Sequence, residues 1–152
     1  MKIIQPARQA NNAQQQAVTL LARREHSQYE LERKLSYAGY DNEDIEQAIT
    51  ALSRAGLQDD QRFAEHFMIY RSQRGYGPNK IQMELQHRGV EKSLISQVFR
   101  ESDIDWYQLA QQVRIKKFGA LLPTNRQQQA KQHRFLQYRG FDYDHINHSF
   151  LS

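Results

Sequence analysis

The sequence lacks cysteine altogether and has only 3 prolines among its 152 residues. The absence of cysteine excludes disulfide bonds and thiolate-bound metal sites, and it is typical of a protein in a reducing compartment. No apolar run approaches the roughly 18 residues that a membrane span requires. The N-terminus also lacks the apolar stretch of a signal peptide. We therefore expect a cytoplasmic protein with no membrane partner.

The sequence also shows few groups of residues that could form a catalytic or metal-binding site. Of the 6 histidines, only His145 and His148 share a helical face, and no third ligand stands at a fixed spacing from them. Asp142 and Asp144 precede a helix without the rest of a calcium loop, so helix capping explains them better. The glycine-rich turn at 75–78 is not followed by the lysine of a phosphate-binding loop. We expect no enzymatic activity, no metal and no cofactor.

The sequence does contain one pattern of apolar residues and glycine that recurs three times. Within each copy the apolar residues follow the helical period rather than the alternation of a strand. The matching sets, at spacings of 50 and then 51 residues, are Leu31, Leu35, Gly39, Ile45 and Ile49, then Ile81, Leu85, Gly89, Ile95 and Phe99, then Leu136, Gly140, Ile146 and Phe150. A period of about fifty residues is typical of an array of helical repeats.

Each copy of this pattern predicts three short amphipathic helices. Ser27 and Glu30 form a capping box at the start of one middle helix, and the recurring glycines are placed to end the middle helices in a left-handed conformation. The sequence therefore predicts an all-α fold of three tandem three-helix repeats in an elongated, curved array. The boundaries that we predict are a flexible arm at 1–12 and repeats at 13–57, 58–102 and 103–152.

Positive charge is distributed unevenly along the chain. The formal net charge is +4, but residues 1–60 hold 7 basic and 9 acidic side chains, a net of −2. Residues 61–102 and residues 103–152 each hold 7 basic and 4 acidic side chains, a net of +3. The basic region beyond residue 60 is suited to contact with a polyanion. A solvated surface without such a role explains these values equally well.

Cations interleaved with aromatic residues occur in both basic regions. Tyr70 and Tyr76 accompany the cations around the glycine turn, and Phe118 and Tyr138 accompany those of the last third. Arginine and lysine can pair with phosphates while aromatic rings stack on bases. The candidate residues for binding nucleic acid or a nucleoprotein filament are Arg71, Arg74, Lys80, Arg88, Arg114, Lys116, Lys117, Arg126, Lys131, Arg134 and Arg139. Solvated arginines beside core aromatics would produce the same pattern, and no helix has the cluster that base readout needs.

Four motifs, in order, resemble the signatures of the RecX regulatory proteins. They are ARREHSQYELERKL at 22–35 with Gly39 after it, GLQDDQRFA at 56–64, Gly77-Pro78 with Ile81, Leu85, Arg88, Gly89 and Val90, and Phe135-Leu136 with RGF at 139–141. The resemblance extends from about residue 17 to the end of the chain. The segment at 119–132 departs from it, because no motif of the family falls there.

The resemblance implies tandem three-helix repeats and a modulator of the RecA recombinase. Members of the family bind within the groove of the RecA–DNA filament and inhibit its extension, strand exchange, ATP hydrolysis and co-protease activity. It implies the RecA filament as the partner. We also expect weak binding of single- and double-stranded DNA and a monomeric protein. An alternative function is that of a stand-alone DNA-binding protein that acts through the basic second and third repeats.

Overall fold

The computed structural model describes residues 12–151, which form nine α-helices and no strand. In chain order they are α1 (Ala13–Arg23), α2 (Gln28–Tyr37), α3 (Asn42–Arg54), α4 (Asp60–Gln73), α5 (Pro78–His87), α6 (Lys92–Arg100), α7 (Trp106–Phe118), α8 (Arg126–Arg139) and α9 (Tyr143–His148). The predicted all-α fold is confirmed. The predicted arm at 1–12 lies outside the described residues except for Asn12, which caps α1.

Side-chain hydrogen bonds set the starts of several helices. Ser27 Oγ accepts from the backbone N–H of Glu30, and the Glu30 carboxylate accepts from the N–H of Ser27, both at 3.1 Å. This is the predicted capping box. Asp59, Asp105 and Asn125 accept in the same way from the first turns of α4, α7 and α8. Each cap satisfies N–H groups that have no partner inside the helix.

The three middle helices, α2, α5 and α8, end in the same turn. Gly39, Gly89 and Gly140 have φ values of 99°, 80° and 101°. The residue after each glycine donates its N–H to the carbonyl four residues before the glycine, at 3.2, 3.1 and 3.2 Å. A glycine adopts this left-handed conformation without the steric cost that a Cβ would add. The recurring glycine therefore ends each middle helix, as its spacing predicts.

Helices group in threes around separate small cores. Repeat one (α1–α3) encloses Ala17, Leu31, Leu35, Ile45, Ile49 and Leu52. Repeat two (α4–α6) encloses Phe63, Ala64, Met68, Ile81, Leu85, Val90, Ile95 and Val98. Repeat three (α7–α9) encloses Ala110, Leu136, Phe141 and Ile146. The third core has the fewest buried apolar residues of the three.

Polar side chains occupy part of the space inside repeat three. Gln132 stands at the position of Leu31 and Ile81 in the earlier repeats, and only 7% of it is exposed. The residues before it, at 126–131, are all exposed. Arg114 is 2% exposed, and its Nε donates to the Ser149 carbonyl at 2.9 Å. Arg114, which we predicted to bind nucleic acid or a filament, therefore lies in the core of repeat three.

Consecutive repeats meet where the start of one middle helix contacts the end of the next. At joint one (between repeats one and two), Ser27 Oγ donates to the Arg88 carbonyl at 2.6 Å. At joint two (between repeats two and three), the N–H of Gly77 donates to the Arg139 carbonyl at 2.8 Å. The N–H of Asn79 donates to the Gly140 carbonyl at 2.9 Å. Carbonyl groups that a helix end leaves without partners thus accept from the start of another helix.

Additional polar contacts surround joint one. The Arg62 guanidinium forms an ion pair with the Glu25 carboxylate. Asp60 Oδ1 accepts from the N–H of Gln28 at 2.9 Å and from the side-chain amide of Gln58 at 2.8 Å. Because Glu25, Asp60 and Arg62 are only partly buried, water can compete for their contacts at joint one.

The closest packing between helices lies within each repeat. The described hydrogen bonds between repeats connect one to two and two to three. This arrangement is that of a linear array, in which a unit touches only its neighbours. The overall elongation, the monomeric state and the repeat boundaries stay predictions. No described helix is both long and apolar enough to cross a bilayer.

His26 is buried beside joint one, with 2% of its surface exposed. Its Nδ1 lies 3.0 Å from the Arg24 carbonyl, and its Nε2 lies 2.9 Å from Lys34 Nζ. Since the lysine can only donate, Nε2 accepts and Nδ1 bears the proton. Burial lowers the pKa of the imidazole, and the charges of Arg24 and Lys34 add to that effect against the opposing hydrogen bond to the Arg24 carbonyl. The folded protein therefore holds His26 neutral.

We predict that substitution at Gly89 opens joint one. A Cβ at Gly89 would collide with the Cβ of Tyr29 in repeat one, whereas a Cβ at Gly56, which also has positive φ, meets no atom within 4 Å. Gly56→Ala should therefore cost only the backbone strain of about 1 kcal/mol. Gly89→Ala should cost at least about 2 kcal/mol, since overpacking adds to that strain. Urea unfolding, monitored by circular dichroism, measures the free energy of unfolding of both variants. Equal losses of stability would contradict close packing at joint one.

We predict that acid destabilises the protein through His26. The imidazole has a lowered pKa in the folded state, so the unfolded chain binds the extra proton as pH falls through about 6.5, and stability present above that pH is lost below it. A difference of one bound proton costs up to about 1.4 kcal/mol per pH unit. Urea unfolding at pH 7.5 and 5.5 should show a smaller loss for His26→Gln than for the unmodified chain.

The control for this comparison is His66→Gln, because His66 is exposed on α4. That variant should lose as much stability between the two pH values as the unmodified chain does. An equal loss in all three proteins would assign the pH dependence to other groups.

Candidate functional site

Two neighbouring clefts lie on either side of the exposed face of α4. The first, between repeats one and two, has a volume of about 860 Å³, and we call it the apolar cleft. The second, between repeats two and three, has a volume of about 750 Å³, and we call it the basic cleft. Tyr70 and Gln73 line both. The clefts therefore form one continuous face that crosses both joints.

The basic cleft concentrates cations from two repeats. Arg74 comes from the end of α4, Lys116 and Lys117 from the last turn of α7, and Arg139 from the end of α8. The described residues that line this cleft include no aspartate or glutamate; the others are Tyr70, Gln73, Gly75, Leu109, Gln112, Val113 and Phe135. Uncompensated positive charge in a concave surface attracts polyanions.

Aromatic rings hold these cations in place. The Arg74 guanidinium lies 5.0 Å from the centre of the Tyr70 ring. Lys117 Nζ and the Arg139 guanidinium lie 5.6 and 5.1 Å from the centre of the Phe135 ring. Such contacts orient the cations. Arg139 Nη1 already donates to the Arg74 carbonyl at 3.2 Å, and the remaining N–H groups can donate to a ligand. Tyr70, 52% exposed, also offers an aromatic surface on which a base could stack.

Several predicted binding residues have structural partners instead. Arg71 donates to both carboxylate oxygens of Glu84, at 3.0 and 2.8 Å. The hydrogen bond to Glu84 raises the pKa of the Arg71 guanidinium, which stays charged. Lys80 Nζ lies near the rings of Tyr76 and Tyr138 at joint two.

The remaining predicted residues lie outside the basic cleft. Arg88 lines the apolar cleft. Arg126, Lys131 and Arg134 are exposed along α8, away from the lining of either cleft. Arg114 is enclosed in the third core. The structure therefore brings together Arg74, Lys116, Lys117 and Arg139 and separates the rest of the predicted set.

The apolar cleft differs from the basic cleft in its lining. Phe63, Phe67, Ile69 and Tyr70 contribute apolar surface, and Arg24, Glu25, His66, Gln73 and Arg88 contribute polar groups. Phe67 and Tyr70 follow Phe63 at helical spacing in the sequence, and Ile69 lies beside that stripe. Apolar residues at 63, 64, 67, 68, 69 and 70 are more than one buried face of a helix can hold. That excess is a sequence signal for a second apolar surface.

No group of three or more histidine, aspartate or glutamate side chains in the described chain could hold a metal ion. What the combined face offers is charge, hydrogen-bond donors and aromatic surface.

Family comparisons cover nearly all of the described chain. Three family models match in order: the first three-helix domain of RecX at residues 13–52, the second at 59–98 and the third at 103–149. A regulatory protein RecX of Pseudomonas fluorescens is 44% identical over 131 residues, which covers 86% of this chain and 84% of the relative. The RecX of Halorhodospira halophila is 42% identical over 130 residues, with 86% and 81% covered.

Solved structures show the same fold. A crystal structure of RecX from Lactobacillus salivarius superposes with a TM-score of 0.76 at 20% identity and covers 90% of this chain and 91% of that one. Another crystal structure of a regulatory protein RecX also has a TM-score of 0.76, at 19% identity, with 89% and 69% covered. At these identities the likeness concerns the architecture of three-helix repeats.

Proposed function

The chain belongs to the RecX family of regulatory proteins, and from that membership we propose that it binds the filament of the RecA recombinase on DNA and restrains it. The restraint would act on filament extension, ATP hydrolysis, strand exchange and co-protease activity. In this proposal the protein regulates by binding and catalyses no reaction. It would act in the cytoplasm, where the filament forms.

The basic cleft is the observation that supports this proposal most directly. Its cations come from α4, α7 and α8, so only the assembled repeats two and three create it. A filament is a repeating partner that presents both a phosphate backbone and protein surface. A multi-repeat face that includes a polyanion-binding cleft could contact both at once, and linked contacts gain affinity from each other.

The same cleft also supports a second function, that of a stand-alone DNA-binding protein. Lys116, Lys117 and Arg74 could neutralise phosphates while Tyr70 stacks on a base. This function needs no protein partner. The two proposals differ in the amount of protein required, because coating DNA consumes protein in proportion to DNA length, whereas restraint of a filament does not.

We predict that the protein lowers ATP hydrolysis by RecA on single-stranded DNA at amounts far below those that cover the DNA. The measurement is the steady-state hydrolysis rate as the protein is titrated into preassembled filaments. In parallel, fluorescence anisotropy reports when the same DNA, without RecA, is covered. If inhibition appears only at the amount that covers bare DNA, the stand-alone function replaces the filament function.

We predict that Lys116 and Lys117 contact phosphates. Each cation that neutralises a phosphate of single-stranded DNA contributes about 0.7 to the slope of log K against log salt, so Lys116→Gln with Lys117→Gln should flatten that slope by up to about 1.4. Glutamine is nearly as good a helix former as lysine, so helix content should stay unchanged. Anisotropy titrations of a labelled oligonucleotide at several salt concentrations measure the slope.

A matched control removes two exposed cations from repeat one. Arg23→Gln with Arg54→Gln changes net charge equally but at residues that lie outside both clefts. The slope should hardly change in this control. The basic cleft would lose its assignment if the control flattened the slope as much as the lysine pair did.

A further inference from the structure

The apolar cleft is exposed to solvent although its lining is rich in apolar groups. Phe63 closes the cleft from the core of repeat two, and the Arg88 guanidinium lies 4.6 Å from the centre of the Phe67 ring. Ile69 is 46% exposed on the same helix. A concave apolar surface of this size, bordered by a few polar groups, is typical of a binding site.

Charge around the apolar cleft is nearly, but not fully, balanced. Arg24 donates to both carboxylate oxygens of Glu30, at 3.0 and 3.2 Å, and Arg88 Nε lies 3.5 Å from the same carboxylate. Although burial opposes it, the hydrogen bond from Arg24 keeps the pKa of the Glu30 carboxyl below its ordinary value. Glu25 is already paired with Arg62. Two guanidinium groups therefore share one carboxylate, and one positive charge remains.

A single surplus charge beside apolar rings does not suit a nucleic-acid backbone. Such a backbone presents a phosphate at every nucleotide and needs a row of cations, as the basic cleft provides. The apolar cleft instead matches a ligand that has apolar side chains next to one carboxylate. Acidic and apolar side chains in one segment are a property of proteins.

We propose that the apolar cleft binds a segment of the recombinase that presents an apolar side chain beside an aspartate or glutamate. The apolar side chain would lie against Phe67 and Ile69, and the carboxylate would accept from Arg24 or Arg88. This inference rests on the proposed function, because it takes the recombinase as the protein partner. It assigns protein recognition to the apolar cleft and phosphate recognition to the basic cleft.

Tyr70 and Gln73 place the two clefts in direct contact along α4. One face of the molecule could therefore hold a protein segment and a DNA strand next to each other. A nucleoprotein filament presents those two surfaces side by side, whereas free DNA or free recombinase presents one of them. The arrangement favours the assembled filament over either component alone.

The test compares Ile69→Glu with Met83→Glu. Both residues are exposed apolar side chains in helices, at 46% and 55%, but Met83 lies outside the lining of both clefts. The new carboxylate at Ile69 would repel the ligand carboxylate and remove apolar contact. Binding to RecA filaments, saturated on single-stranded DNA with a non-hydrolysable ATP analogue, is measured by biolayer interferometry. Ile69→Glu should weaken it by about tenfold or more, and Met83→Glu should leave it nearly unchanged.

A second readout separates protein recognition from DNA recognition. Affinity for the free oligonucleotide should be the same for Ile69→Glu and Met83→Glu, while Lys116→Gln with Lys117→Gln should weaken it. Circular dichroism melts check that both glutamate variants are folded. Arg24→Gln, which keeps Glu30 beside Arg88, should weaken filament binding by about threefold in the same assay.

Three other outcomes are possible, and each contradicts a specific part of the proposal. Equal filament binding by Ile69→Glu and Met83→Glu would overturn the apolar-cleft assignment. Parallel losses of filament and oligonucleotide affinity in Ile69→Glu would show that the cleft holds nucleic acid instead. If the unmodified chain binds saturated filaments no better than it binds bare DNA, the proposed function itself fails, and that result appears before any variant is compared.

Discussion

The fold depends on one contact that occurs twice, between the start of a middle helix and the glycine turn that ends the next one. Ser27 Oγ meets the Arg88 carbonyl at joint one, and the N–H of Gly77 meets the Arg139 carbonyl at joint two. Each bond satisfies a carbonyl that the helix end leaves without a partner. It also brings the positive end of one helix dipole to the negative end of another. Only glycine allows this approach at residue 89, because a Cβ there would enter the space of Tyr29.

The contacts that surround this shared bond differ between the two joints, and each cleft depends on the joint beside it. Joint one relies on side chains, among them Ser27, Asp60 and the pair Arg62–Glu25. Joint two relies on backbone hydrogen bonds and on Arg139, whose guanidinium lies 4.9 Å from the Tyr76 ring centre and 5.1 Å from that of Phe135. The apolar cleft therefore depends on ionic contacts that salt weakens, whereas the support of the basic cleft is less ionic.

The core of repeat three contains polar and charged side chains that lower its stability. Gln132 and Arg114 replace apolar side chains inside it, and one side-chain atom of each, Gln132 Oε1 and Arg114 Nη1, lacks a hydrogen-bond partner in the described structure. Buried polar atoms of this kind cost stability. Repeat three nevertheless supplies three of the four cations of the basic cleft. Repeat three thus contributes most of the cations of the basic cleft, although its own apolar core is small.

The sequence by itself determined the features that local physics controls. The period of about fifty residues, the capping box at Ser27 and the left-handed glycines all follow from short-range rules of helix formation. The concentration of positive charge beyond residue 60 was also evident. Tertiary structure decided which cations act together, since Arg74 and Arg139 are far apart in the chain and meet only through joint two. It also decided that Arg114 is buried, because the apolar pattern of a helix does not show that a charged side chain lies among the core residues.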